Sequence, residues 1–147
     1  MRHLAGRIDA GAVDTVLNHD GARPLMTRTP AAGVLHAARS GGAVPGMRRG
    51  DVAVAAPDGH GLVAMAPEGC VAVQTPQGFP AAPLLEAYEH AAREGFAGTD
   101  TASCVERFAP ELVTRWIAGD PGNIKITYPR DLVVAEQALA RLGHRPG

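Results

Sequence analysis

A chain of 147 residues, 46% of them apolar, is long enough for one domain with a real core, and its composition excludes intrinsic disorder. A formal charge of −1 gives no general case for a nucleic-acid or anionic-membrane partner, so any anion binding must come from local groups. Aromatic residues make up only 4% against 18 glycines, which implies small side chains packed closely, as where helices lie on a sheet.

The N-terminal "MRHLAGRIDAGAVD" has no apolar signal-peptide run, and no stretch approaches the roughly 20 apolar residues of a membrane span, so a cytoplasmic protein is expected. Residues 12–17 read as a strand that runs into a polar loop. Thr29 reads as a helix N-cap with Pro30 in the first turn, and the helix stops at Gly41-Gly42. "GAVPG" is a short strand broken by Pro45. Two apolar runs around Pro57-Asp58-Gly59 predict a hairpin over 51–66 that projects from the body. "CVAVQTP" is another strand. A helix follows, with Leu84, Tyr88 and Ala91 on one face and Gly95 as its stop. Thr99 and Asp100 are cap candidates for a short helix. "ELVTRWIAG" is a strand, "DPGN" a turn and "IKIT" a strand, with Ile124 and Ile126 on one face and Lys125 and Thr127 on the other. Pro129 opens the last helix, where Leu132, Ala135, Leu139 and Leu142 repeat at helical spacing. The alternation predicts one α/β domain over 1–147, three-layered, with a mostly parallel sheet.

Cys70 and Cys104 stand alone, outside any CxxC pair, and fit a reduced compartment. His3, His36, His60, His90 and His144 show no metal-ligand spacing. His19 reads as a loop-orienting residue, and the run 47–49 as a solvated turn. A nucleotide-binding α/β domain ordinarily opens with a strand, a glycine-rich loop and a helix. "LAGRIDAGA" has glycines but no strand before it. Asp20, at a strand's C-terminal end, is either a ligand group or the anchor of an Asx turn. Arg23 is either a phosphate fork or a surface ion-pair partner. On periodicity alone, Lys125 is a surface lysine.

Three blocks shift these readings: "VLNHDGARPL" (16–25), "VQTPQGF" (73–79), and "TDTAS" (99–103) leading to "GDPGNIKITYPRDLVVAEQAL" (119–139). In this order and spacing they resemble the C-terminal part of the 2-C-methyl-D-erythritol 4-phosphate cytidylyltransferase family, over about residues 12–142. The resemblance implies a nucleotide-diphospho-sugar transferase-like fold, N-terminally truncated, with a projecting hairpin arm that dimerises. It implies CTP and a polyol phosphate as partners, Mg2+ as cofactor, and transfer by attack of the acceptor phosphate on the α-phosphorus of CTP with loss of pyrophosphate. On it, Lys125 is the catalytic lysine that positions the acceptor phosphate, and Asp20, Arg23, Thr75 and Thr99 bind substrate. Asp20 and Gly21 fall on the cofactor side, with Asp20 as the metal ligand.

The chain also departs from the pattern. The family's N-terminal segment, with its CTP-phosphate loop, has no counterpart. Asp51, Val52, Ala53 and Val54 replace the family's Asp-Thr-x-Lys, Pro67 stands where an arginine reaches the acceptor, and Gly21 replaces an alanine. Three readings follow: a methylerythritol phosphate cytidylyltransferase, a cytidylyltransferase for another polyol phosphate, and a non-catalytic homologue acting as a dimerisation module.

Overall fold

A computed structural model describes residues 1–49, 54–55, 62–63, 70–98 and 100–143. After a 3-10 turn at Arg2–Leu4, the described elements are α1 (Ala5–Asp9), β1 (Thr15–Asn18), α2 (Arg28–Ala37), β2 (Gly42–Arg48), β3 (Val54–Ala55), β4 (Leu62–Val63), β5 (Val71–Val73), β6 (Gln77–Pro80), α3 (Ala81–Arg93), α4 (Thr101–Phe108), β7 (Thr114–Ala118) and α5 (Pro129–Gly143).

The α/β class is as the sequence implies, and the strand pairing refines it. β2 pairs in parallel with β7, from Gly42↔Thr114 to Gly46↔Ala118. On its other side β2 pairs antiparallel with β5 (Met47↔Ala72) and with β6 (Ala43↔Gly78). β6 in turn pairs antiparallel with β1, from Thr15↔Pro80 to Asn18↔Gln77. Strands β1, β2 and β7 therefore run the same way, and the reversed β5–β6 line lies between β1 and β2. The expected mostly parallel sheet is a mixed one: among the described pairings of this sheet only β2–β7 is a parallel ladder. The chain leaves β2 at Arg48 and returns beside it at Val71, and an antiparallel neighbour needs no helical crossover.

β5 and β6 form one line broken at Gln74–Pro76, where the Thr75-Pro76 peptide is cis. Pro45 does not break β2 as expected. Its carbonyl accepts from the Gln74 amide at 2.7 Å, at the point where the facing line is interrupted, so its missing N–H falls where the ladder is already open. β6 is a strand that pattern reading missed, because Gly78 and Pro80 are weak strand formers.

Period-2 alternation sends β-residues to two faces. Val44 and Phe79 join Leu84, Ala87, Ala91, Cys104 and Val105 beneath α3 and α4. Ala43 turns the other way, to Val34 of α2 and to Ala38, which caps that helix's C-terminus. α1 adds Ile8 against Ala81 and Leu85 of α3. The result is three layers.

The helix boundaries follow local chemistry. Gly95, at φ +64°, ends α3 in the left-handed region that glycine adopts freely. Asp100 caps α4: its Oδ1 accepts the Ser103 amide at 2.9 Å, and Ser103 Oγ accepts from the Asp100 amide. α2 starts one residue before the expected cap, with Thr27 in the cap position. The Thr27 hydroxyl donates to Asp120 rather than capping the helix. Residues 124–127 form no strand. They alternate partly buried and exposed as the pattern predicts, but without a ladder, and the segment is anchored where the Ile126 amide donates to Ala22. In α5, Ala135 of the expected face is buried, while Leu132 and Leu139 are half exposed; periodicity marks an apolar face but not whether anything covers it. β3 and β4 pair antiparallel (Val54↔Val63); the rest of the expected 51–66 arm, with Asp51, Val52 and Ala53, lies outside the described residues, as does Pro67 after it.

Candidate functional site

Beyond the last residue of β1, the loop 19–23 turns over the break in β5–β6 and faces residues 123–125. The three segments enclose a pocket of about 270 Å3. Ligands in α/β proteins bind at this kind of place, outside the carboxyl end of a strand.

Lys125, the only lysine in the chain, points into this pocket. Its Nζ lies 2.9 Å from Oδ2 of Asp20. The other oxygen of Asp20 accepts the Ala22 amide at 2.9 Å, which is the Asx turn the sequence allows. Asp20 is thus both a turn anchor and a pocket carboxylate. The Ala22 amide first, then Lys125, hold its carboxyl below the usual carboxylate range, against a smaller opposing effect of burial. Gly21 is exposed beside it, and a Cβ built there meets no described heavy atom within 4 Å, so alanine would fit equally well.

Arg23 lines the pocket but turns its guanidinium onto main chain. Nη1 donates to the Asn123 carbonyl at 2.6 Å, and Nη2 lies 3.5 Å from the Val73 carbonyl. Burial lowers its pKa and the nearby Asp20 opposes the shift. Guanidinium remains a cation in proteins, so the pocket keeps this positive charge. Arg23 ties the loop to its two neighbouring segments, a role neither sequence reading foresaw.

Thr75 sits at the break itself. Its Oγ1 accepts the Asp20 amide at 3.0 Å and lies 3.0 Å from Nδ1 of His19. The far nitrogen of His19 lies 3.0 Å from the Arg23 carbonyl. The break is held open by buried amides. Gln74 donates to the Asp120 carbonyl and accepts the Asp120 amide, and Asn123 donates to the Thr75 carbonyl at 2.8 Å. Arg23 Nε and Asn123 Oδ1 are buried without a hydrogen-bond partner among the described residues.

On the opposite wall, Gln77 donates to Asp100 at 2.8 Å and accepts the Ala102 amide at 2.9 Å, which fixes the start of α4. Thr101, buried, receives the Asn18 amide and meets the Tyr88 hydroxyl at 3.1 Å. Of the six residues expected at the site, Asp20, Arg23, Thr75 and Lys125 line one pocket, Gly21 stands exposed beside Asp20 and is not among the lining residues, and Thr99 lies outside the described residues. Asn18, Gln74, Gln77, Thr101 and Asn123 were missed. The signal for two of them was present, since glutamines flanking a proline in an otherwise apolar strand must either be exposed or be spent on partners.

No group of three or more His, Cys, Asp or Glu among the described residues forms a metal cage. Both oxygens of Asp100 are engaged, on Gln77 and Ser103; both of Asp20 are engaged as well, but one of them only by the exposed ammonium of Lys125. Magnesium is commonly held by one or two carboxylates together with substrate phosphates, and Asp20 fits as one such ligand. No helix among the described residues is long and apolar enough to cross a membrane.

The family model described as 2-C-methyl-D-erythritol 4-phosphate cytidylyltransferase matches residues 6–141. The enzyme of that name from Thermus thermophilus is 41% identical over 141 residues, which are 95% of this chain and 64% of the relative. That from Bacillus cereus is 40% identical over 131 residues, 88% of this chain and 57% of the relative. The chain therefore spans less than two thirds of the length of these relatives. The crystal structure of the Thermus thermophilus enzyme superposes with a TM-score of 0.74, covering 94% of this chain and 67% of that one. The Anaerococcus prevotii 4-diphosphocytidyl-2C-methyl-D-erythritol synthase superposes at 0.79 with 24% identity, covering 95% and 64%, and bears on the fold alone.

Proposed function

Because the chain belongs to the 2-C-methyl-D-erythritol 4-phosphate cytidylyltransferase family, we propose that this pocket binds a polyol phosphate and presents it to CTP. The observation that carries the reading is the convergence of Asp20, Thr75 and Lys125, from three separate parts of the chain, on one pocket. In the reaction, an acceptor phosphate oxygen attacks the α-phosphorus of CTP, a P–O bond forms, the bond to the β-phosphate bridge breaks, and pyrophosphate leaves. The nucleophile is already an anion, so the protein's task is to position it and to offset charge. Lys125 is the group for the acceptor phosphate: as the anion enters, its ammonium exchanges Asp20 for a phosphate oxygen or bridges both. Thr75 and Thr99 bind the acceptor, and Arg23 holds the loop that carries Asp20. Asp20 and the Gly21 amide face the nucleotide, with Asp20 as the protein ligand of Mg2+. The metal would neutralise charge developing on the triphosphate.

Methylerythritol 4-phosphate is the acceptor the family match favours, and the matches give no support to a separate role as an interaction module. The protein acts in the cytoplasm, as a homodimer through the arm that contains β3 and β4. With CTP, methylerythritol 4-phosphate and magnesium, the chain is expected to release pyrophosphate, and calorimetry is expected to show the acceptor binding. Failure of both, beside an active full-length relative, overturns the reading.

A further inference from the structure

The Thr75 hydroxyl has one proton and two lone pairs to share among its neighbours. The Asp20 amide can only donate, so it takes one lone pair. His19 Nδ1 stands at 3.0 Å, and the direction of that bond is set at the other end of the ring. There, Nε2 lies 3.0 Å from the Arg23 carbonyl, which can only accept. Nε2 must therefore carry the ring proton. In the neutral imidazole this leaves Nδ1 bare, and Thr75 donates to it. The chain of donors runs from the Asp20 amide to the Thr75 hydroxyl, on to His19, and from His19 to the Arg23 carbonyl. The Arg23 amide closes the loop by donating to the Asp20 carbonyl at 2.9 Å.

This order fixes what Thr75 offers a ligand. Its proton is spent on His19, and only a lone pair remains for the pocket. A phosphate oxygen, itself an acceptor, gains nothing there, whereas a ligand hydroxyl does. We propose that His19 is a positioning residue that holds Thr75 as a hydrogen-bond acceptor, so that this wall of the pocket reads a hydroxyl of the ligand rather than its phosphate. The inference deepens the polyol-phosphate reading and rests on it for the ligand. It divides the pocket into a phosphate end at Lys125 and a hydroxyl end at Thr75.

The test compares two phosphate esters, methylerythritol 4-phosphate and n-butyl phosphate, which carries no hydroxyl, in calorimetry at about pH 8, above the ordinary imidazole range. His19→Phe is expected to weaken the polyol ester about fivefold, roughly the worth of one hydrogen bond, and to leave the butyl ester unchanged. His19→Gln, whose amide has both an acceptor and a donor, is expected to recover most of the loss. Equal weakening of both esters, or of neither, overturns the proposal. If the wild type binds neither ester, the polyol-phosphate reading fails by itself. Proton–nitrogen correlation spectra of the histidine rings then still decide the His19 assignment. An Nε2-protonated ring whose Nδ1 resonance moves in Thr75→Val supports it, and an Nδ1-protonated ring overturns it.

Discussion

Lys125 and Asp20 hold each other at 2.9 Å, both within reach of solvent, and that contact governs what each does. Lys125→Ala is expected to weaken acceptor-phosphate binding by about ten- to a hundredfold, the loss of one charge-assisted hydrogen bond, while the thermal midpoint stays nearly unchanged. Calorimetry and a melting curve on the same variant check both halves. The carboxyl of Asp20 is held below its ordinary value, so its native contacts favour the ionised form. Its contribution to stability is complete above the ordinary carboxylate pKa of about 4 and is lost as pH falls below that value through the lower folded one. Asp20→Asn is expected to flatten the acid limb of a melting-temperature profile below about pH 4 and to leave its slope above that unchanged. Periodicity placed Lys125 correctly off the apolar face but said nothing of its aim. The aim depends on Asp20, 105 positions earlier, and no local pattern reports a partner that distant.

The break between β5 and β6 is the element that builds the pocket, and it stands on two supports. The first is Gln74, whose buried amide satisfies both the amide and the carbonyl of Asp120. Gln74→Leu would leave these main-chain groups without that partner. An expected loss of about 1–3 kcal/mol, measured by urea denaturation, would be accompanied by weaker acceptor binding as residues 120–125 loosen. The second is Gly78. A Cβ there would lie 2.8 Å from Ala38 Cβ and 2.7 Å from Val34 Cγ1, and Ala38 cannot yield without moving α2. Gly78→Ala is expected to cost about 1–3 kcal/mol by the same measurement. The helices α3 and α4 were legible because amphipathic spacing, a capping box and a terminal glycine agree locally. Residues 124–127 were misread as a strand because alternation reports two environments, not a hydrogen-bonded neighbour. Pro45 was misread as a breaker because its tolerance depends on an interruption in the opposite strand.

At the scale of the molecule, α/β character and the three layers were readable from the alternation of elements, whereas the reversed strand was not, since strand direction is set by the route of the chain. Family resemblance supplied the candidate site residues, and the fold brings Asp20, Arg23, Thr75 and Lys125 to one pocket. The arm containing β3 and β4 is proposed to join two copies. Sedimentation equilibrium is expected to give twice the chain mass at micromolar concentration, and a monomer throughout would remove the arm from that role. One consequence of the composition reaches across the whole fold. Positive charge is carried almost wholly by arginine, and the one side-chain primary amine stands in the pocket. Labelling this protein with nitrogen-15 lysine would therefore give a single ammonium resonance, a reporter built into the site that needs no mutation and no assignment.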